Sequence, residues 1–192
     1  SDDDTDRYLV LVTRQGLIKR VELKAFSNIR KGGLIALNLD EGDELISVLP
    51  TAGEDTILIA THDGMAACFP ETEARSMGRT AVGVRGIRLR EGDYVIGAGS
   101  SAQGSAVLTV TEKGFGKRTA FDAYSVHKRG RIGIKNYQVT ERTGKIAGIC
   151  LVDETDDLLV ITDDGTIIRV AVSAIGEKGR ATQGVRVMKP VG

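Results

Sequence analysis

Short apolar runs at positions 8–12, 56–60, 106–110 and 158–161 each stop at a polar turn and resume just after it, the pattern of strand, tight turn, strand. The four turns share one phrase: Thr13-Arg14-Gln15-Gly16, Thr61-His62-Asp63-Gly64, Thr111-Glu112-Lys113-Gly114 and Thr162-Asp163-Asp164-Gly165. Their glycines stand 48, 50 and 51 residues apart. A glycine closing such a turn supplies the positive φ that a hairpin with a bulge requires. A second glycine keeps the same period, at Gly33, Gly83, Gly133 and Gly184, and opens a further strand pair, clearest at 33–49 and 83–97. Two hairpins per unit predict four strands, and four approximate repeats, 7–54, 55–104, 105–155 and 156–192, fill the chain. A repeated four-stranded unit that cannot bury both faces alone predicts an all-β, propeller-like stack of four blades. The intervening segments 23–31, 70–79, 120–129 and 171–178 read as crossing loops with room for a short helical turn.

Composition narrows this without changing it. Among 192 residues, apolar types make up 41% but aromatics only 4%, so the core must come from Val, Ile, Leu and Ala, residues that suit strands. The longest uncharged run, 94–111, carries too many Gly and Ser to face lipid. Cys68 and Cys150 lie far apart in apolar stretches without a second ligand at metal spacing, and read as buried thiols. His62 and His127 read as surface residues, and Asp153, Glu154, Asp156 and Asp157 lack a calcium-loop register. Gly114-Phe115-Gly116-Lys117 lacks the spacing of a phosphate loop. No metal and no cofactor are expected in this chain.

Charge alters the picture more. Lys and Arg number 26, as do Asp and Glu, yet the cations recur at fixed places in the repeat. Four residues after the first glycine stand Arg20, Cys68, Arg118 and Arg169. Four before the second stand Ile29, Arg79, Arg129 and Arg180; two after it stand Ile35, Arg85, Lys135 and Arg186. Residues 113–145 hold nine basic side chains, Lys117 and Arg131 included, against Asp122 and Glu141. In a propeller, equivalent positions lie on a circle, so these registers predict a curved basic band suited to a bent polyanion. Stacking aromatics for single strands and a base-reading helix are both missing, which favours phosphate contacts to a duplex, indifferent to sequence. The candidate DNA-binding residues are Arg20, Arg79, Arg85, Lys117, Arg118, Arg129, Arg131, Lys135, Arg169, Arg180 and Arg186. The competing reading is a protein-interaction propeller without DNA binding; the absence of Trp removes the Trp-Asp signature of one large propeller group.

The Thr-x-x-Gly turns, the run Thr80-Ala81-Val82-Gly83-Val84-Arg85-Gly86-Ile87-Arg88-Leu89-Arg90-Glu91-Gly92-Asp93, the stretch 111–119 and the closing Thr182-Gln183-Gly184-Val185-Arg186 together resemble the C-terminal domain of the A subunit of bacterial DNA gyrase. The related subunit of topoisomerase IV is similar, and the resemblance covers essentially the whole chain. It implies a β-pinwheel whose blades exchange strands with their neighbours, and a perimeter on which duplex DNA is bent and wrapped. It further implies a non-catalytic part of a type II topoisomerase in the bacterial cytoplasm at the nucleoid, partnered by the B subunit, with the rest of the A subunit, as A2B2. ATP and Mg²⁺ are implied only for that full, supercoiling enzyme. Two departures stand out. The family domain usually has six blades, against four here. The gyrase-A box, Gln-Arg-Arg-Gly-Gly-Lys-Gly, is not found, and residues 29–33 and 127–131 are partial echoes of it. The Arg7-Tyr8 pair resembles the reactive pair of these enzymes, but that pair belongs to an upstream winged-helix region, while Tyr8 opens a strand.

Overall fold

The computed structural model describes residues 7–23, 39–76, 83–161 and 164–187. The first three Thr-x-x-Gly phrases form the same closed turn. The glycine N–H donates to the threonine carbonyl at 3.0–3.1 Å in the first three repeats. The threonine hydroxyl accepts the N–H of the residue after the glycine at 3.1 Å in Thr13, Thr61 and Thr111. The glycines adopt φ of 84–95°, a region a β-carbon disfavours.

On either side of these turns lie β1 (Tyr8–Thr13) and β2 (Leu17–Glu22), β4 (Thr56–Thr61) and β5 (Met65–Pro70), β8 (Ala106–Thr111) and β9 (Phe115–Ala120), and β12 (Asp157–Ile161) and β13 (Ile167–Ala171). Three further strands, β3 (Leu45–Thr51), β7 (Val95–Ser100) and β11 (Ile146–Val152), join the first three pairs. Three two-residue strands complete the set: β6 (Val84–Arg85), β10 (Ile134–Lys135) and β14 (Val185–Arg186). The sheets run β3-β1-β2-β6, β10-β5-β4-β7 and β11-β8-β9-β14, with β12-β13 as a two-stranded sheet among the described residues.

In the second and third repeats the second strand pair is therefore not a hairpin of one sheet. Its first arm crosses to the sheet of the preceding repeat, and its second stays at home. β6 pairs with β2, β10 with β5, and β14 with β9. The second glycine makes that crossing possible: a β-carbon at Gly83, Gly133 or Gly184 would lie 2.6, 2.2 or 2.4 Å from the carbonyl oxygen of Ile18, Ala66 or Gly116 in the preceding repeat. The crossing loops carry one turn of 3-10 helix each at Glu71–Glu73, Phe121–Ala123 and Val172–Ala174.

Apolar packing sits between sheets. Val10, Val12 and Ile18 of the first sheet meet Ile57, Ile59 and Phe69 of the second. Leu58, Ala60, Ala66 and Cys68 meet Val107, Tyr124 and Leu151 of the third. Leu108 and Val152 meet Val172 and Ile175 of the fourth repeat. Each fully buried Val, Leu or Ile contributes about 1.5–3 kcal/mol, so the seams hold the stack together. On the fourth sheet, Leu159, Ile161 and Ile167 occupy positions equivalent to Val10, Val12 and Ile18, and are exposed. Cys68 is buried, whereas Cys150 is exposed on β11, against the expectation of two buried thiols.

Candidate nucleic-acid interface

Consecutive sheets touch through β3 and β7 and through β7 and β11, which makes these the inner strands and sets β6, β10 and β14 on the outer edge. That geometry divides the predicted cations into two groups.

The first group faces the seams between blades. Arg20 is 8% exposed, and its guanidinium lies against Glu71, itself 1% exposed, with Nη2 to Oε1 at 3.0 Å. It also donates to the carbonyls of Gly53 at 2.9 Å and Ala74 at 3.3 Å, and stacks 3.8 Å above the Tyr8 ring. Arg118, at the equivalent place, donates from Nε to the Ile175 carbonyl at 3.0 Å. Ala74 and Ile175 each follow the 3-10 turn of the next repeat, so this register staples one blade to the next. In the second repeat the same post is taken by Cys68, packed with Tyr124. Lys117 is fully buried; its Nζ donates to the carbonyl of Gly179 at 2.8 Å, to that of Arg180, and to that of Thr182 at 3.3 Å. Burial, then the charge of Arg180, push its ammonium down from 10.5 to about 7. The structure thus takes Arg20 and Lys117 out of the set a ligand can reach.

Arg129 and Arg180 clasp backward across the seams in one shared manner. From Nε, Arg129 bonds the carbonyl of Glu73 at 3.1 Å, and Arg180 that of Ala123 at 2.9 Å. From Nη1, they bond the carbonyls of Arg85 at 3.1 Å and Lys135 at 2.8 Å. Each clasp satisfies one 3-10 carbonyl and one outer-strand carbonyl of the preceding repeat and leaves its arginine partly exposed. Arg169 is exposed but paired with Asp157, Nε to Oδ2 at 2.8 Å, so its charge is compensated locally.

The second group lies on the outer edge. Arg85, Lys135 and Arg186 are exposed and stand opposite Leu17, Met65 and Phe115, the residues just after the first glycines. They therefore share one register and one side of their short strands. None has a carboxylate partner among the described residues. Arg85 bonds the Gln15 carbonyl at 3.0 Å, Lys135 the Gln138 amide oxygen at 3.2 Å, and Arg186 lies 4.7 Å from the Phe115 ring centre. Arg131 is exposed beside this edge, and its backbone carbonyl accepts the Arg88 N–H at 2.8 Å. Arg79 lies outside the described residues. Sequence reasoning did not select Arg142, which lies 5.3 Å from the centre of the same Phe115 ring, nor the exposed Arg88 and Lys128. Their dense basic surroundings in the sequence were the available signal, but they lack the repeat register used for selection.

Other candidates are structural. His62 is half-buried rather than a surface residue, stacked on Tyr94 with ring centres 4.4 Å apart and with Glu112 at 3.3 Å. His127 is exposed. Asp153 and Asp156 close turns, with the Asp156 carboxylate accepting the Asp153 N–H at 2.8 Å. Among the described residues, no cluster of three or more His, Cys, Asp or Glu is placed to hold a metal ion, and no helix is long and apolar enough to cross a membrane.

Comparison with known proteins agrees with this architecture. A family model described as "DNA gyrase C-terminal domain, beta-propeller" matches residues 7–52, 55–101, 105–152 and 156–189. The A subunit of DNA gyrase from Staphylococcus epidermidis is 48% identical over 189 residues, which cover 97% of this chain and 21% of that protein. Its counterpart from Staphylococcus aureus is 44% identical over the same length. The chain thus spans about a fifth of the length of these relatives. A solved DNA gyrase A C-terminal domain matches with a TM-score of 0.86 at 29% identity, covering 98% of this chain and 64% of that one. The C-terminal domain of DNA topoisomerase IV matches with a TM-score of 0.87 at 26% identity, covering 98% and 59%.

Proposed function

Because this chain belongs to the DNA gyrase C-terminal domain family, of β-propeller fold, we propose that it binds duplex DNA along its outer edge and holds it bent. The observation that carries this reading is the repetition of Arg85, Lys135 and Arg186 at one register of three outer strands, exposed and without carboxylate partners among the described residues. Cations repeated along a curved edge attract phosphates wherever the duplex touches, and carry no information about base order. Bending a site of 20–30 base pairs by 40–90° costs on the order of 1–6 kcal/mol, so several charge-assisted contacts on an already curved surface are needed to offset it.

In this reading the chain performs no chemistry itself. It presents DNA to the cleavage core of a type II topoisomerase, within a gyrase-like A2B2 assembly whose supercoiling consumes ATP. Fluorescence anisotropy with labelled duplexes of unrelated sequence, titrated with salt, tests the proposal. Three edge contacts give a log K against log salt slope of about −2.7, with Arg131 and its neighbours adding to it. A slope near zero, or binding to one sequence alone, contradicts the reading and favours a protein-interaction propeller.

A further inference from the structure

The post three residues after the first glycine is held by Lys19, Ala67, Lys117 and Ile168 in the four repeats. Lys117 shows what that post can do: its chain passes under the crossing segment of the next repeat, and its Nζ ends among the carbonyls of Gly179, Arg180 and Thr182. One repeat earlier, the equivalent carbonyls are those of Lys128, Arg129 and Arg131, standing at the same distances in sequence before Gly133 as the others stand before Gly184. The backbone there is held alike, since Arg88 N–H meets the Arg131 carbonyl at 2.8 Å as Gln138 N–H meets that of Thr182 at 3.1 Å. Beneath them, however, the lysine is replaced by Ala67.

A cavity of about 150 Å³ opens at that place, between Ala67 and Cys68 on one side and Lys128, Arg131 and Ile134 on the other. It is well above the ~10–15 Å³ that admits one water. Its lining is largely apolar, as a butyl chain requires, and includes Lys128 and Arg131, whose carbonyls are equivalent in sequence to those of Gly179 and Thr182 that hold the amine in the sister blade. Cationic neighbours select the neutral form of an amine, since Lys117 stands beside Arg180 in the filled site with its ammonium pushed down to about 7.

We propose that this cavity binds the aminoalkyl end of a linear primary amine, of the class of aliphatic mono- and diamines, which takes the place of the missing lysine side chain. The inference stands apart from the DNA reading, and its test uses no DNA. Thermal unfolding of the full chain is measured with n-butylamine, putrescine, tert-butylamine and potassium chloride at matched ionic strength and pH. Binding at about ten times a millimolar dissociation constant raises Tm by about 3–6 °C. The expected result is a rise with n-butylamine and putrescine, none with branched tert-butylamine or with salt, and perturbed amide resonances at 128–131. Ala67→Lys tethers the amine and abolishes the response; Ala67→Leu, which blocks the cavity without a charge, abolishes it as well. Equal responses to the linear and branched amines, no response at all, or a full response in whichever blocking variant folds overturns the proposal.

Discussion

The seam between blades and the outer edge carry cations from the same repeat and put them to opposite uses. At the seam, Arg20 and Lys117 are buried and bonded by a carboxylate or by carbonyls of the next repeat. At the edge, among the described residues, Arg85 and Lys135 each bond a neutral acceptor and Arg186 lies against the Phe115 ring, with no carboxylate partner. A charge recurring at one position of every blade can therefore mean either device, since each seam repeats as faithfully as each edge. What separates the two is the partner: a fixed acceptor consumes the cation, while solvent leaves it available.

The largest effect falls at Arg20. Arg20→Ala leaves the Glu71 carboxylate buried with its arginine gone and, among the described residues, Thr51 and the Asp55 N–H as its remaining partners. Loss of one member of a buried pair costs about 3–5 kcal/mol, to be read from urea midpoints. An effect below about 1 kcal/mol would place Arg20 with the edge residues.

Lys117 gives the next test, through pH. Its folded value of about 7 lies below the ordinary 10.5, so between these values the unfolded chain binds more protons and stability rises with pH. Below about pH 7 the burial penalty is fully present, and above 10.5 it is gone. Lys117→Met removes this rise, and urea midpoints between pH 6.5 and 9.5 show whether the profile flattens. An unchanged profile would mean that Lys117 is solvated.

The smallest effect belongs to the edge. Replacing Arg85, Lys135 and Arg186 together by Ala shifts stability by roughly 0.5 kcal/mol or less per site, as exposed substitutions do. A larger loss, measured by the same denaturation, would assign these residues to the seam.

The glycine period was legible because it is local: positive φ at Gly16, Gly64 and Gly114 and close backbone approach at Gly83, Gly133 and Gly184 forbid other residues. The exchange of strands was not legible from periodicity, since residues 84–85 pattern equally well in either sheet, and only the resemblance implied it. Tertiary contact decides their partner. The edge cations were found, but mixed with seam cations. A sharper signal lay in the sister repeats: a post held by Ala67 and Ile168 is an interior one, and Lys117 there reads as a buried amine. Likewise, Cys68 at the Arg20 post marks a packed position. The acceptors in the next repeat, 51–65 residues away in sequence, leave no local trace.

Duplex affinity of the Arg85→Ala, Lys135→Ala, Arg186→Ala variant across a salt series tests the division between edge and seam most directly. The expected result is weaker binding to every sequence and a log K against log salt slope shallower by about 2.7 than that of the unaltered chain. An unaltered slope and affinity in a fully folded variant would contradict it.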